Sequence, residues 1–342
     1  MSSYLKRFFS TALKGVLVAL VLLAGFSVSP ARAGDQEGFR LWLDQLAPEM
    51  IQQGISPATI GRVWPTLSFD ESVIELDQKQ PEHKITFAQY LKNTLPETRV
   101  SRARELLDEN RAILNDVAAR YGVPAEAIVA LWGIESSFGD NRGDDPVLNS
   151  LATLAYEGRR ADFFKKELLE ALRIIDEERR DPDFLQGSWA GAMGQCQFMP
   201  STYRRFAVDY DGDGVRDIWE NLGDVFASMA RYLAAEGWQA GQGWGKEVMV
   251  IRPVPQQVLG RETPQKIETW RQFGVRELSG QPLTSPQPQA YLIQPDGVGG
   301  RSFLVYDNFL ALMKWNRSTF FATSVGLFMD KLKAPLSNRQ SP

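Results

Sequence analysis

VPAEAIVALWGIESSFG, residues 123–139, decides how the rest of the chain is read. Pro124 suits a first helical turn, where its missing N–H would have no partner in any case. Ile128, Leu131, Trp132 and Phe138 then recur at helical spacing and mark an apolar face. Glu135 follows Ile128, Leu131 and Trp132 by seven, four and three residues, so it shares that face. Glu is rarely buried unless something pairs with it. Two readings are open. The carboxylate is structural, capped by an Arg or by backbone N–H groups. Alternatively, apolar desolvation keeps it protonated near neutrality, ready to protonate a leaving oxygen. The helix alone does not choose between them.

Composition narrows the class. With 44% hydrophobic and 23% charged residues in 342, the chain can bury a large core and carry accessory lobes. Residues 1–33 stand apart. Lys6, Arg7 and Lys14 flank the start of an apolar run, GVLVALVLLAGFSV, which leads to Ala31-Arg32-Ala33. These are the charged, apolar and small-residue parts of a secretory signal, with cleavage expected after Ala33. The run is short for a membrane span, and the absence of Cys there excludes a lipid on an N-terminal Cys. Without this segment 34 Lys and Arg face 42 Asp and Glu, a formal charge of −8 that argues against a nucleic-acid partner. A single Cys forbids an internal disulfide, so stability must come from packing and from any bound ion.

Further along, residues 38–64 read as two helices around a turn at 54–57, and 97–121 as one long amphipathic helix ending at Gly122. Helical patterns follow at 147–156, 162–179 and 222–236. Beyond Gly245 the texture changes: EVMVIRP, QAYLIQP and RSFLVYD are rich in strand formers, and QPDGVGG reads as a turn. Helices near 307–315 and 318–332 close a mainly helical α+β fold.

Residues 188–203, SWAGAMGQCQFMPSTY, combine small residues with two amides. Small residues permit close backbone approach and Gln can read hydroxyls and amides, although tight core packing would look the same. Together, GIESSFG, DDPVLNSLATLAYEGRRADFF and GSWAGAMGQCQFMPSTYRRFAVDYDGDG resemble the lytic murein transglycosylase B family. IWENLGDVFASMARYLAAEGW and FLVYDNFLALMKWNRSTFFATSVGLF extend the likeness over nearly all of 34–342. The resemblance implies a lysozyme-like catalytic core at about 123–245, with N-terminal helices 38–121 and a C-terminal segment 246–342 packed on it. It also implies that Glu135 is the one catalytic carboxylate, that Ser188 and Gln197 line the glycan site, and that Tyr232 and Tyr306 face the saccharide. Cys196 stands where the family pattern carries a small residue.

The resemblance further implies the reaction. Glu135 would protonate the oxygen leaving the MurNAc–GlcNAc bond, and the substrate's 2-acetamido group would stabilise the sugar cation. The resulting carboxylate would then deprotonate the MurNAc 6-hydroxyl to give a 1,6-anhydro end. Ordinary glycosidases use a pair of carboxylates instead, and Asp140, Asp144 and Asp145 are near enough in sequence to suggest one. A lysozyme-type hydrolase and a non-catalytic wall-binding protein therefore stand as alternatives. Peptidoglycan glycan strands are the implied partner, the expected address is the periplasm, and the chain is read as a monomer needing no organic cofactor. Cell-wall synthesis or division proteins are candidate protein partners.

DYDGDGVRDIWE, residues 209–220, carries a second signal. Asp209, Asp211, Asp213, Asp217 and Glu220 occupy positions 1, 3, 5, 9 and 12 of a calcium loop, and Val215 can offer its carbonyl at position 7. Asp224 rivals Glu220 as the closing ligand. Arg216 stands at position 8, usually apolar, so the ion is read as structural. Cys196 and His83 are the chain's only Cys and His, and nothing in the sequence joins them as a nucleophilic pair or a zinc site. Trp189, Trp219, Trp238 and Trp244 are either sugar platforms or core.

Overall fold

The structure, a computed structural model, describes residues 36–79 and 85–334. The signal segment 1–33 and His83 lie outside the described residues. Among the described residues the α-helices before the central one are α1 (Gln36–Gln52), α2 (Pro57–Val63), α3 (Glu71–Gln78), α4 (Phe87–Thr94), α5 (Glu97–Glu109) and α6 (Arg111–Tyr121). The central helix α7 spans Ala125–Ser136. Then come β1 (Asp145–Pro146), α8 (Val147–Glu157), α9 (Ala161–Glu177), β2 (Gln186–Gly187), α10 (Pro200–Phe206) and α11 (Leu222–Ala235). The remainder is β3 (Gly245–Val250), β4 (Gln265–Lys266), α12 (Ile267–Gln272), β5 (Val275–Arg276), β6 (Gln289–Ile293), β7 (Ser302–Val305), α13 (Asp307–Trp315) and α14 (Thr319–Lys333). The fold is α+β and mainly helical.

α7 is more deeply placed than a one-faced helix. Every residue from Ala127 to Gly133 is buried, and a helix that is apolar all round belongs inside a protein. α5, α6, α11 and α14 pack around it. Its Pro124 is extended, at φ −67° and ψ 148°, and caps the helix one residue before the first turn. At the other end, Trp132 packs edge-on against Phe138 and Phe226, with centroids 5.3 and 5.1 Å away.

A five-stranded antiparallel sheet, ordered β4-β6-β7-β3-β5, divides the apolar interior. Strand alternation explains the division. In β6 and β7, Ile293, Phe303 and Val305 turn to the main helical core. Leu292, Leu304 and the following Tyr306 turn instead to a smaller core with Val248, Trp270 and Val275. The register pairs Gly245 with Val305, and Val305 with Tyr291. β3 thereby delivers Trp244 to the main core, where its indole N–H donates to Asp330 of α14 at 3.0 Å.

One expected helix is two. The 97–121 segment breaks at Asn110, whose φ of −103° and ψ of 15° leave the helical region. Its side chain donates back to the Leu106 carbonyl at 2.9 Å and satisfies the end of α5. Amphipathic spacing continues across the break, which is why periodicity alone joined the two.

α14 meets Trp244 at Gly326, where an added Cβ would stand 2.1 Å from the indole. Gly326→Ala should therefore destabilise the protein by about 1–3 kcal/mol through overpacking. Urea unfolding of the variant checks this, and a wild-type midpoint would contradict the contact.

Candidate active site

The backbone reverses sharply just past Glu135. Ser137, Phe138 and Gly139 follow one another at φ of 51°, 64° and 91°. Left-handed Ser and Phe are strained conformations that surrounding contacts must hold. Several contacts do so. The Ser136 hydroxyl donates to the Trp132 carbonyl and accepts the Gly139 N–H. Arg99 of α5 donates to the Ser137 hydroxyl at 3.2 Å. Gly139 is required twice over, since a Cβ there would also sit 2.5 Å from the Gln195 amide oxygen.

Glu135 stands on the last turn of α7 and is only partly open to solvent. Its Oε1 accepts the indole N–H of Trp315, the last residue of α13, at 2.7 Å. Among the described residues no Lys or Arg forms an ion pair with it. Burial pushes the carboxyl up to about 7, against which the Trp315 hydrogen bond acts in the lowering direction. No second carboxylate contributes to that shift. Of the two readings, desolvation without a charged partner among the described residues favours a carboxyl that holds a proton near neutrality.

Trp315 is itself clamped. Tyr232 lies at 4.7 Å in a T-shaped contact and Phe198 at 5.3 Å. The Tyr232 hydroxyl donates to the Lys314 carbonyl at 2.8 Å, which places this expected site residue one ring from Glu135. The 188–199 segment is tied to α7 by Gln195, whose amide oxygen accepts the Trp132 N–H at 2.7 Å. Gln197 is left-handed at φ 50°, and its amide nitrogen donates to the Arg142 and Gly194 carbonyls. Ser188 is half-buried, and its hydroxyl accepts the Ala192 N–H.

Other expectations land elsewhere. Tyr306 is 4% exposed in the smaller core, and its hydroxyl is 3.0 Å from that of Ser285. No contact among the described residues joins it to Glu135, because strand alternation turns it to the opposite side of the sheet. Trp219, Trp238 and Trp244 are core, while Trp189 is half-buried. Cys196 is fully buried, its thiol raised well above the usual range, and donates to the Val225 carbonyl. Asp140 and Asp144 are exposed, and Asp145 belongs to β1, paired with Gly187.

The acidic loop is gathered in part. Carboxylate oxygens of Asp209, Asp211 and Asp213 all lie within 4.8 Å of one another. Asp217 instead caps the next turn, accepting the Trp219 and Glu220 N–H groups. Glu220 turns to Arg142 at 2.7 Å, and Asp224 is buried, with its two oxygens accepting the Tyr210 and Asp217 N–H groups. Arg216 leaves the loop to pair with Glu178 and to lie 5.0 Å over Tyr203. Three of the carboxylates read from spacing thus converge, while Asp217, Glu220 and Asp224 hold backbone N–H groups or Arg142.

Comparison with known proteins gives this arrangement relatives. The model of the transglycosylase SLT domain matches residues 38–330. The membrane-bound lytic murein transglycosylase B of Escherichia coli (strain K12) is 36% identical over 219 residues. That match covers 62% of this chain and 58% of the relative, so the aligned part spans less than two thirds of that protein. The crystal structure of SltB3 from Pseudomonas aeruginosa with NAG-anhNAM-pentapeptide superposes with a TM-score of 0.82 at 42% identity, covering 86% of this chain and 80% of that one. The Escherichia coli lytic transglycosylase SLT35 in complex with calcium gives 0.72 at 29% identity, covering 87% and 93%.

Glu135 carries a stability cost of known sign. Its folded-state value of about 7 exceeds the ordinary 4.5, so its favourable contribution is complete at low pH and disappears as pH rises through 7. Glu135→Gln should be about 3 kcal/mol more stable than the wild type at pH 8.5, with the gain gone at pH 4. Urea unfolding at the two pH values measures this, and a pH-independent difference would contradict the burial.

Proposed function

The chain belongs to the transglycosylase SLT domain family, and from that membership we propose that it is a lytic transglycosylase of peptidoglycan. The observation that carries the reading is Glu135, a carboxyl held up to about 7 by burial, with no ion-pair partner and no second carboxylate acting on it among the described residues. A two-carboxylate hydrolase needs a base or nucleophile opposite the acid. Asp140 and Asp144 are exposed, Asp145 lies in β1, and none of the three acts on this group.

The chemistry then runs on one residue. Protonated Glu135 gives its proton to the glycosidic oxygen between MurNAc and GlcNAc as the C1–O bond breaks. The 2-acetamido group of the same MurNAc supports the developing cation. The Glu135 carboxylate removes the proton of the 6-hydroxyl, O6 bonds to C1, and the residue regains its proton without consuming water. Acid and base duties at neutral pH require a group whose value lies near that pH, which burial supplies. The NAG-anhNAM-pentapeptide bound to SltB3 is a fragment of the product type this reaction forms. Ser188, Gln197 and Tyr232, on elements tied to α7 and Trp315, are the proposed glycan contacts.

Calcium fits the acidic loop as a structural ion. Asp209, Asp211 and Asp213 offer converging hard oxygen donors, and Val215 can add its carbonyl. Arg142 joins this loop to the site, since its guanidinium pairs with Glu220 and its carbonyl accepts from Gln197. An ion there would brace that connection and leave the chemistry to Glu135. The signal-like segment 1–33 supports export, and the periplasm is the proposed address.

Two measurements test these proposals. Purified sacculi digested by the wild type should release 1,6-anhydro ends, and Glu135→Gln should lose about a thousandfold or more of that activity while remaining folded. Water-added reducing ends would reject the reaction. Saturating calcium should raise the melting temperature by about 5 °C, and Asp209→Asn with Asp213→Asn should abolish the rise. An unchanged melt with and without chelator would remove the ion.

A further inference from the structure

A single carboxyl that first donates and then accepts a proton needs its two oxygens distinguished. We propose that Trp315 is the positioning residue that does this: its indole N–H fixes Oε1 as the permanent acceptor and leaves Oε2 as the atom that gives and takes the proton. The inference rests on the acid–base reading of Glu135.

Three observations carry it. The hydrogen bond is 2.7 Å long and joins Glu135 to an element whose residue lies 180 positions further along the chain. Indole N–H is a donor only. It can neither accept the proton of the acid nor give up its own to the carboxylate, so it never competes for the catalytic proton. A hydroxyl in the same place could do both. The ring is also fixed in place, with Tyr232 at 4.7 Å on one contact and Phe198 at 5.3 Å on another. Tyr232 is fastened in turn to the Lys314 carbonyl on the residue before Trp315.

The electrostatic surroundings leave this role to Trp315. Tyr90 of α4 and Cys196 feel the Glu135 charge, and burial raises both, so neither ionises across the neutral range. Arg99 of α5 is spent on Ser137 and the Thr94 carbonyl. α11 meets α7 through Phe226 on Trp132, and α14 through Phe328 beside Gly133. No charged group of α6, α11 or α14 acts on the Glu135 carboxyl. A hydrogen bond to the ionised form stabilises that form in a low-dielectric site. The indole therefore favours the carboxylate that exists between proton donation and recovery, when the sugar cation is present.

The test removes the N–H and keeps the ring. Trp315→Phe does so with some loss of volume. Replacing Trp315 by the isostere 3-benzothienylalanine keeps the bicyclic shape and guards against a packing artefact. With soluble uncross-linked peptidoglycan strands as substrate, KM should stay within about twofold while kcat falls about ten- to hundredfold. The alkaline limb of kcat/KM should move up by about one pH unit, because the group that lowered Glu135 is gone. A folded benzothienyl variant with the wild-type kcat and pH profile would overturn the assignment, provided that Glu135→Gln is inactive. Activity retained in Glu135→Gln would instead overturn the acid–base reading, and this proposal with it.

Discussion

A carboxyl group at the end of a buried helix, met among the described residues by an indole N–H and no counter-charge, is the constraint that organises this protein. Leaving Glu135 desolvated is unfavourable whenever it ionises. The surrounding fold must supply enough packing to tolerate that. It does so with α7 sunk among four helices and with Trp132 packed edge-on against Phe138 and Phe226 at its C-terminal turn. The strained Ser137-Phe138-Gly139 reversal belongs to the same arrangement, because it turns the chain away immediately after the carboxyl.

The other parts of the molecule act on that turn through a few ties. Gln195 binds the small-residue segment to Trp132. α13 and α14 bring Trp315 to Glu135, and the β-sheet holds α14 through Trp244. Arg142 connects the acidic loop to Gln197. The hydrogen bonds made by Gln195, Trp315, Trp244 and Gln197 come from half-buried or buried side chains, where the local dielectric makes such bonds stronger and their loss more costly, whereas the Arg142–Glu220 ion pair is exposed. The β-containing lobe thus matters to the site by bracing the helices that carry Trp315.

Much of this was legible in the sequence, and the remainder was hidden for identifiable reasons. Local periodicity found α8, α9, α11, α13 and α14, and strand-forming runs found β3, β6 and β7, because those segments are dictated by short-range spacing. It also singled out Glu135 as an acid on an apolar face. Trp315 was missed because nothing local in LMKW marks its indole as a partner for a group 180 residues away; only tertiary packing brings them together. Tyr306 was assigned to the saccharide by resemblance, whereas the pleat turns its ring into the smaller core. The acidic spacing of 209–220 marked a loop on which the carboxylates of Asp209, Asp211 and Asp213 converge. Glu220 found Arg142, and Asp224 found backbone N–H groups.

The central claim concerns the proton on one side chain, and it is most directly tested by titrating that side chain. Infrared difference spectra between wild type and Glu135→Gln, recorded across pH on the full-length folded protein, isolate the Glu135 carboxyl stretch. A protonated band that converts to carboxylate near pH 7 is the expected result. A carboxylate already formed at pH 5, titrating near the ordinary 4.5, would contradict the account.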